Sequence, residues 1–189
     1  MLTKRFSEAF NYAFKLHYYQ NRKGTRVPYV AHLMSVAALV LENGGDEDQA
    51  IAGLLHDAVE DQGGPKTLDT IRNRFGDRVA KIVDGCTDSY TWPKRPWRER
   101  KEQYLARLIQ ADENIRLVSL ADKVHNARTL LWDLQRYGPS VWRRFNGGKD
   151  GTLWYYRALT DFFMSSESTP LSNELSRVVC EMERLAEKE

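Results

Sequence analysis

Apolar residues recur along this chain every three or four positions, the spacing of one face of an α-helix. Phe6, Phe10 and Phe14, with Tyr12 and Leu16, predict a first helix. A polar, basic stretch from Asn21 to Val27 follows and is closed by Pro28. Leu33, Val36, Ala37 and Val40 stripe a second helix, which carries His32 on its first turn and stops at Asn43-Gly44-Gly45. Asp46 caps a third, with Gln49 at the capping-box position. Its stripe of Ile51, Leu54, Leu55, Ala58 and Val59 runs as far as Gln62-Gly63-Gly64-Pro65. Thr67 is placed as the cap of a short helix through Phe75, and Asp77 as the cap of the next. Thr87 to Trp97 reads as a loop, and residues 98–109 and 113–137 as two further helices. Gly138-Pro139 breaks the longer one, Asn146-Gly147-Gly148 marks a turn, and two helices close the chain. No stretch alternates as a strand would. The expected architecture is all-α, a bundle of about eight to ten helices in a single domain over residues 1–189.

Composition narrows the partners. The 28 Lys and Arg nearly balance the 26 Asp and Glu, for a net charge of +2, which argues against a dedicated DNA binder. With 42% hydrophobic residues the chain is not disordered. No apolar run approaches the roughly 18 residues that span a bilayer, and the first residues form no secretory signal. Cys86 and Cys180 form no framework and read as ordinary buried thiols. A cytoplasmic protein with no membrane partner is expected.

Chemistry concentrates at His56-Asp57-Ala58-Val59-Glu60-Asp61, at the end of the third predicted helix. His56 with Glu60, and Asp57 with Asp61, are four apart and share one side of the last turn. Negative charge there opposes the helix dipole, so a cation is implied. Imidazole with carboxylate suits Mn, Fe or Zn better than Ca or Mg. Further ligands must come from elsewhere. His32 is one candidate and Asp122 another, because a bare carboxylate in the apolar run 117–122 is costly unless paired or coordinated.

His32, then His56-Asp57, then Asp122 resembles the H…HD…D signature of the HD superfamily of metal-dependent phosphohydrolases. Four ordered blocks sharpen the likeness. Arg22-Lys23-Gly24…Pro28-Tyr29…His32, residues 55–61, Phe75 to Thr87 and residues 120–130 are each similar to a segment of the hydrolase domain of RelA/SpoT homologues. Among members of that family the chain is most like the stand-alone small alarmone hydrolases. The resemblance implies an HD-domain helical bundle, one Mn(II), and hydrolysis of the 3′-diphosphate of ppGpp or pppGpp to GDP or GTP plus pyrophosphate. Leu33 stands where the family often has Pro, and residues 132–156 match it poorly.

Carried onto this sequence, the resemblance implies a ligand set of His32, His56, Asp57 and Asp122. Glu60 and Asp61 would position or deprotonate the attacking water, with no choice between them from sequence. Arg22 and Lys23 would meet the nucleotide, and Asn126 and Thr129, on the helix face of Asp122, the sugar or base. His125 is expected to point elsewhere in a structural role, and His17 to be a half-buried surface histidine. Two basic segments, Lys94 to Lys101 beside Trp92 and Arg143 to Lys149, are alternative seats for the 5′-phosphates. Gly147-Gly148-Lys149-Asp150 lacks the spacing of a P-loop. Competing readings keep the metal but change the substrate, to another nucleotide such as NADPH or to pyrophosphorylated tRNA. A further one makes the chain an antitoxin against an alarmone synthetase.

Overall fold

A computed structural model describes residues 1–90, 93–166 and 168–187. Ten α-helices are present among them: α1 (Lys4–Leu16), α2 (Val30–Glu42), α3 (Glu47–Leu55), α4 (Ala58–Asp61), α5 (Gly64–Phe75), α6 (Asp77–Cys86), α7 (Trp97–Gln110), α8 (Glu113–Tyr137), α9 (Gly148–Ser166) and α10 (Pro170–Glu187). A 3-10 helix, Gly138–Arg144, joins α8 to α9. An isolated antiparallel bridge between Asn21 and Pro28 pinches the basic loop, and the described residues contain no strand.

The long α8 is the organising element. α2, α3, α6 and α10 all pack against it. Val118, Ala121, Val124, Ala127, Leu130 and Leu134 of α8 are all buried. α3 is buried from Gln49 through Leu55. Its closest neighbour is α2, and Gly53 makes the approach possible. A Cβ on Gly53 would lie 3.2 Å from Ala37 Cα and 3.3 Å from Ala37 N, tighter than nearly all real contacts, so α2 would have to give by a few tenths of an ångström. The capping box forms as expected: Gln49 N donates to Asp46 Oδ1 at 3.0 Å, and Asp46 N donates to Gln49 Oε1 at 2.8 Å. Asp46→Ala also removes the pairing with Arg78 at 2.6 Å. It should cost about 1–2 kcal/mol in urea unfolding, and a loss of less than about 0.3 kcal/mol would contradict this account of the helix start.

Three expectations about helix limits are corrected. Asp77 does not cap α6 but is its first residue, with Gly76 at the cap position. The third helix does not run on to Asp61. It ends at Leu55, and a new single turn begins at Ala58. His56 Nδ1–H donates to the Gly53 carbonyl at 2.8 Å, so a side chain occupies an acceptor that a continuing helix would use. Nor does Thr67 cap α5. Gly63, at φ +128°, turns the chain, the helix begins at Gly64, and Thr67 reaches back from inside it to the Gln62 carbonyl at 2.8 Å.

Candidate active site

Three elements meet at one buried point. α2 brings His32, the break between α3 and α4 brings His56 and Asp57, and α8 brings Asp122. His32 Nε2 lies 3.2 Å from Asp122 Oδ1 and 3.6 Å from Asp57 Oδ2. His56 Nε2 lies 3.0 Å from Asp57 Oδ2 and 3.6 Å from Asp122 Oδ1. Ligand atoms of His32, His56 and Asp57 fall within 4.8 Å of one another. Both Nε2 atoms are buried and have no hydrogen-bond partner. Two orphaned imidazole nitrogens facing two carboxylate oxygens fit a divalent metal, which would satisfy all four.

Both carboxylates are held ionised, as ligation requires. Burial acts against ionisation of both carboxylates. His56 overcomes it at Asp57, and Lys123 with the two histidines overcomes it at Asp122, so both stay well below the usual carboxylate range. Burial would lower the His56 pKa, but Asp57 and Asp122 together raise it, so a metal bound there would displace a proton from His56.

Each of the four side chains has a further polar partner. Tyr29 OH donates to Asp57 Oδ2 at 2.6 Å. Lys123 Nζ donates to Asp122 Oδ2 at 2.5 Å, and Asn126 Nδ2 donates to Asp122 Oδ1 at 2.5 Å. His56 is fixed by the Gly53 carbonyl. His32 Nδ1 lies 2.7 Å from His125 Nδ1. The expectation that His125 points elsewhere is therefore wrong. Position i+3 from Asp122 shares its helix face as surely as i+4 does. His17 is likewise no surface residue. It is 2% exposed, stacks on Tyr29 at 5.1 Å, and meets Gln20 Oε1 through Nδ1 at 2.7 Å.

Glu60 and Asp61 flank the cluster in different states. Glu60 Oε1 accepts from Lys94 Nζ at 2.6 Å and Oε2 from the Asp88 amide at 3.1 Å, so both oxygens are engaged. Asp61 opens onto the cleft and accepts from Gln20 Nε2 at 2.8 Å. Partial burial, then the charges of Asp57 and Glu60, push its pKa up to about 6. A small cavity of about 200 Å³ lies between these acids, Asp88 and Tyr104. A larger cleft of about 890 Å³ is bounded by Arg22, Lys23, Thr129, Trp132, Arg144 and Tyr156. The two share Tyr29, Asp61, Lys101, Lys123 and Asn126.

The family model described as HD domain matches residues 9–153. This chain belongs to the HD-domain family. A guanosine-3′,5′-bis(diphosphate) 3′-pyrophosphohydrolase, MESH1, of Xenopus tropicalis is 38% identical over 138 residues, covering 71% of this chain and 72% of that protein. The bifunctional (p)ppGpp synthase/hydrolase SpoT of Escherichia coli is 33% identical over 130 residues, which cover 67% of this chain and 18% of SpoT. The solved structure of a metazoan SpoT ortholog, described as hydrolysing ppGpp, superposes with a TM-score of 0.77 at 27% identity, covering 94% of this chain and 95% of that one. A Listeria monocytogenes structure does so at 0.68 and 31% identity, covering 78% and 96%.

Within this HD-domain chain, the remaining expected residues are brought together unevenly. Arg22 donates to Asn126 Oδ1 at 2.5 Å and lies 5.5 Å from the Tyr29 ring centroid. Lys23 lines the cleft and reaches Asn146 Oδ1 at 3.4 Å. Thr129 also lines it, but its hydroxyl donates to the Asn126 carbonyl at 2.9 Å. The first basic segment divides. Lys94 and Lys101 face inward, Arg100 pairs with Asp88, and Arg95 and Arg98 pair with Glu99 and Glu102 at the surface. Trp92 lies outside the described residues. In the second segment Arg144 lines the cleft and pairs with Asp133 at 2.7 Å, whereas Arg143 is exposed. Gly147 and Gly151 are seats for the Trp97 indole, since a Cβ on either would meet it at 2.6 and 3.0 Å. Lys149 donates to the Ala186 carbonyl at 2.5 Å. Neither thiol is fully buried, against expectation: Cys86 is half-buried and Cys180 exposed on α10.

Sequence reasoning gave no role to Gln20, Tyr29, Asp88 or Lys123. Tyr29 and Lys123 sit inside the quoted motifs, and that adjacency was the available signal. Gln20 and Asp88 are placed by loops and left none.

Proposed function

We propose that this chain, as one domain over residues 1–189, is a Mn(II)-dependent cytoplasmic hydrolase that releases pyrophosphate from the 3′ side of ppGpp and pppGpp. One observation carries the reading. The buried two-histidine, two-carboxylate cluster stands at the junction of a small polar cavity and a nucleotide-sized cleft, with two ammonium groups, Lys101 and Lys123, at that junction. The activity for which the relatives are named agrees with it.

His32, His56, Asp57 and Asp122 would hold the ion, which when bound supplies a Lewis acid that polarises a phosphate oxygen. Arg22 and Lys23 bind the nucleotide in the cleft, where the Arg22 plane beside Tyr29 offers a stacking surface and both residues offer donors to phosphate. Thr129 and Asn126 line the same wall. Lys101 and Lys123 stabilise charge on the departing diphosphate. Water attacks phosphorus, the bond from that phosphorus to the 3′-oxygen breaks, Asp61 takes the proton from water, and the 3′-oxygen leaves as a hydroxyl by taking a proton from solvent. Glu60, tied to Lys94 and the Asp88 amide, is the less free of the two acids to act as base.

Purified protein incubated with ppGpp and Mn(II) should yield GDP and pyrophosphate. A chelator should stop the reaction and added Mn(II) restore it. No pyrophosphate release from protein with confirmed bound metal overturns the proposal, and turnover of a different nucleotide in a panel would redirect it.

A further inference from the structure

We infer that His125 is a positioning residue that fixes His32 for the metal, resting on the reading that His32 is a ligand. The two imidazoles of the cluster have the same need. A histidine that coordinates through Nε2 must carry its proton on Nδ1, and that N–H needs an acceptor in a buried site. For His56 the acceptor is backbone, the Gly53 carbonyl at 2.8 Å. For His32 it is a side chain, His125 Nδ1 at 2.7 Å.

With a metal taken on Nε2 of His32, the proton inventory has one solution. His32 Nε2 faces Asp57 and Asp122, so a metal held by them meets its lone pair. Its Nδ1–H donates to His125 Nδ1. His125 Nδ1 must accept, which leaves the one ring proton of His125 on Nε2. The rings are not stacked, since their centroids are 4.7 Å apart and their planes inclined at 44°. The contact is thus made edge to edge through nitrogen. His125 is half-buried in the wall of the large cleft, on the α8 face that also carries Asp122 and Asn126. The same helix therefore supplies one expected ligand and the group that orients another.

The test measures Mn(II) affinity by titration calorimetry on metal-stripped full-length protein. His125→Phe keeps a ring but removes the acceptor, and should weaken Mn(II) binding by about 10- to 100-fold. His125→Asn places Oδ1 where Nδ1 stood and should stay within about threefold of the unsubstituted protein. Affinity unchanged in the Phe variant overturns the inference, as does equal weakening in both variants, which would mark a packing role. If the Phe variant does not fold, the unsubstituted protein decides. With ¹⁵N-labelled histidine and diamagnetic Zn(II) bound, long-range nitrogen–proton spectra should show His125 protonated on Nε2. A proton on Nδ1 overturns the inference. Absence of Mn(II) binding by the unsubstituted chain overturns the metal reading as well, and so is distinguishable from failure of the positioning role alone.

Discussion

Asp122→Ala should abolish Mn(II) uptake and lower ppGpp hydrolysis by about a thousandfold or more. Asp122 is 6% exposed and stands at the convergence of four groups: His32, His56, Lys123 and Asn126. Its removal takes away an anionic oxygen aimed at the metal position. It also strands Lys123, whose ammonium is held charged chiefly by that carboxylate. A buried ion that loses its partner typically costs about 3–5 kcal/mol, so the alanine variant should also be less stable. Asp122→Asn separates the two effects, because it keeps the volume and a carbonyl oxygen for Asn126. It should retain a cooperative melt while losing the metal. Metal content by elemental analysis and pyrophosphate release check both variants. More than a tenth of normal activity in either would sink the assignment of Asp122. His56→Ala should fail in the same way.

The second large effect is at Asp61. Asp61→Asn should lower kcat by about 10²- to 10⁴-fold, the usual contribution of a positioned base, with Mn(II) content unchanged. Glu60→Gln should cost less, because its two oxygens already serve Lys94 and the Asp88 amide. Stability should move the opposite way. The Asp61 pKa in the fold is about 6, above its ordinary 3.8. Between those values the folded chain binds more protons than the unfolded one, so stability falls as pH rises through that window. The whole penalty is present above pH 6 and none of it well below pH 4. The metal-free Asn variant should therefore melt higher than the unsubstituted protein at pH 7, with the advantage fading as pH falls toward 4. A variant that loses stability at pH 7, or keeps its kcat, contradicts this role. The pairing of lost activity with gained stability marks a group kept for chemistry rather than for packing.

Much of the arrangement was legible beforehand, for identifiable reasons. The α2 stripe and the Asp46 box are local patterns, and local patterns survive folding. The four expected ligands were legible because each is a polar group set among apolar neighbours, where burial is tolerated only with a specific partner. What escaped depends on longer reach. The break after Leu55 comes from the His56 ring taking a carbonyl, and composition carries no mark of that. His125 escaped because two registers of α8, i+3 and i+4, both face the site, and only the geometry of α2 shows that both are used. The cleft wall from α9 escaped because Tyr155 and Tyr156 are brought there by packing of α9 on α7 and α10.

Gly53 has a consequence out of proportion to its size. It contributes no atom to the chemistry, yet it sets how near α3 stands to α2, and so how far His56 is from His32. Coordination bonds tolerate errors of about 0.2 Å. For an ion held by His32 and His56, the fit would then depend partly on a backbone clearance, and a substitution that widens the gap between those two helices would retune it without touching a ligand.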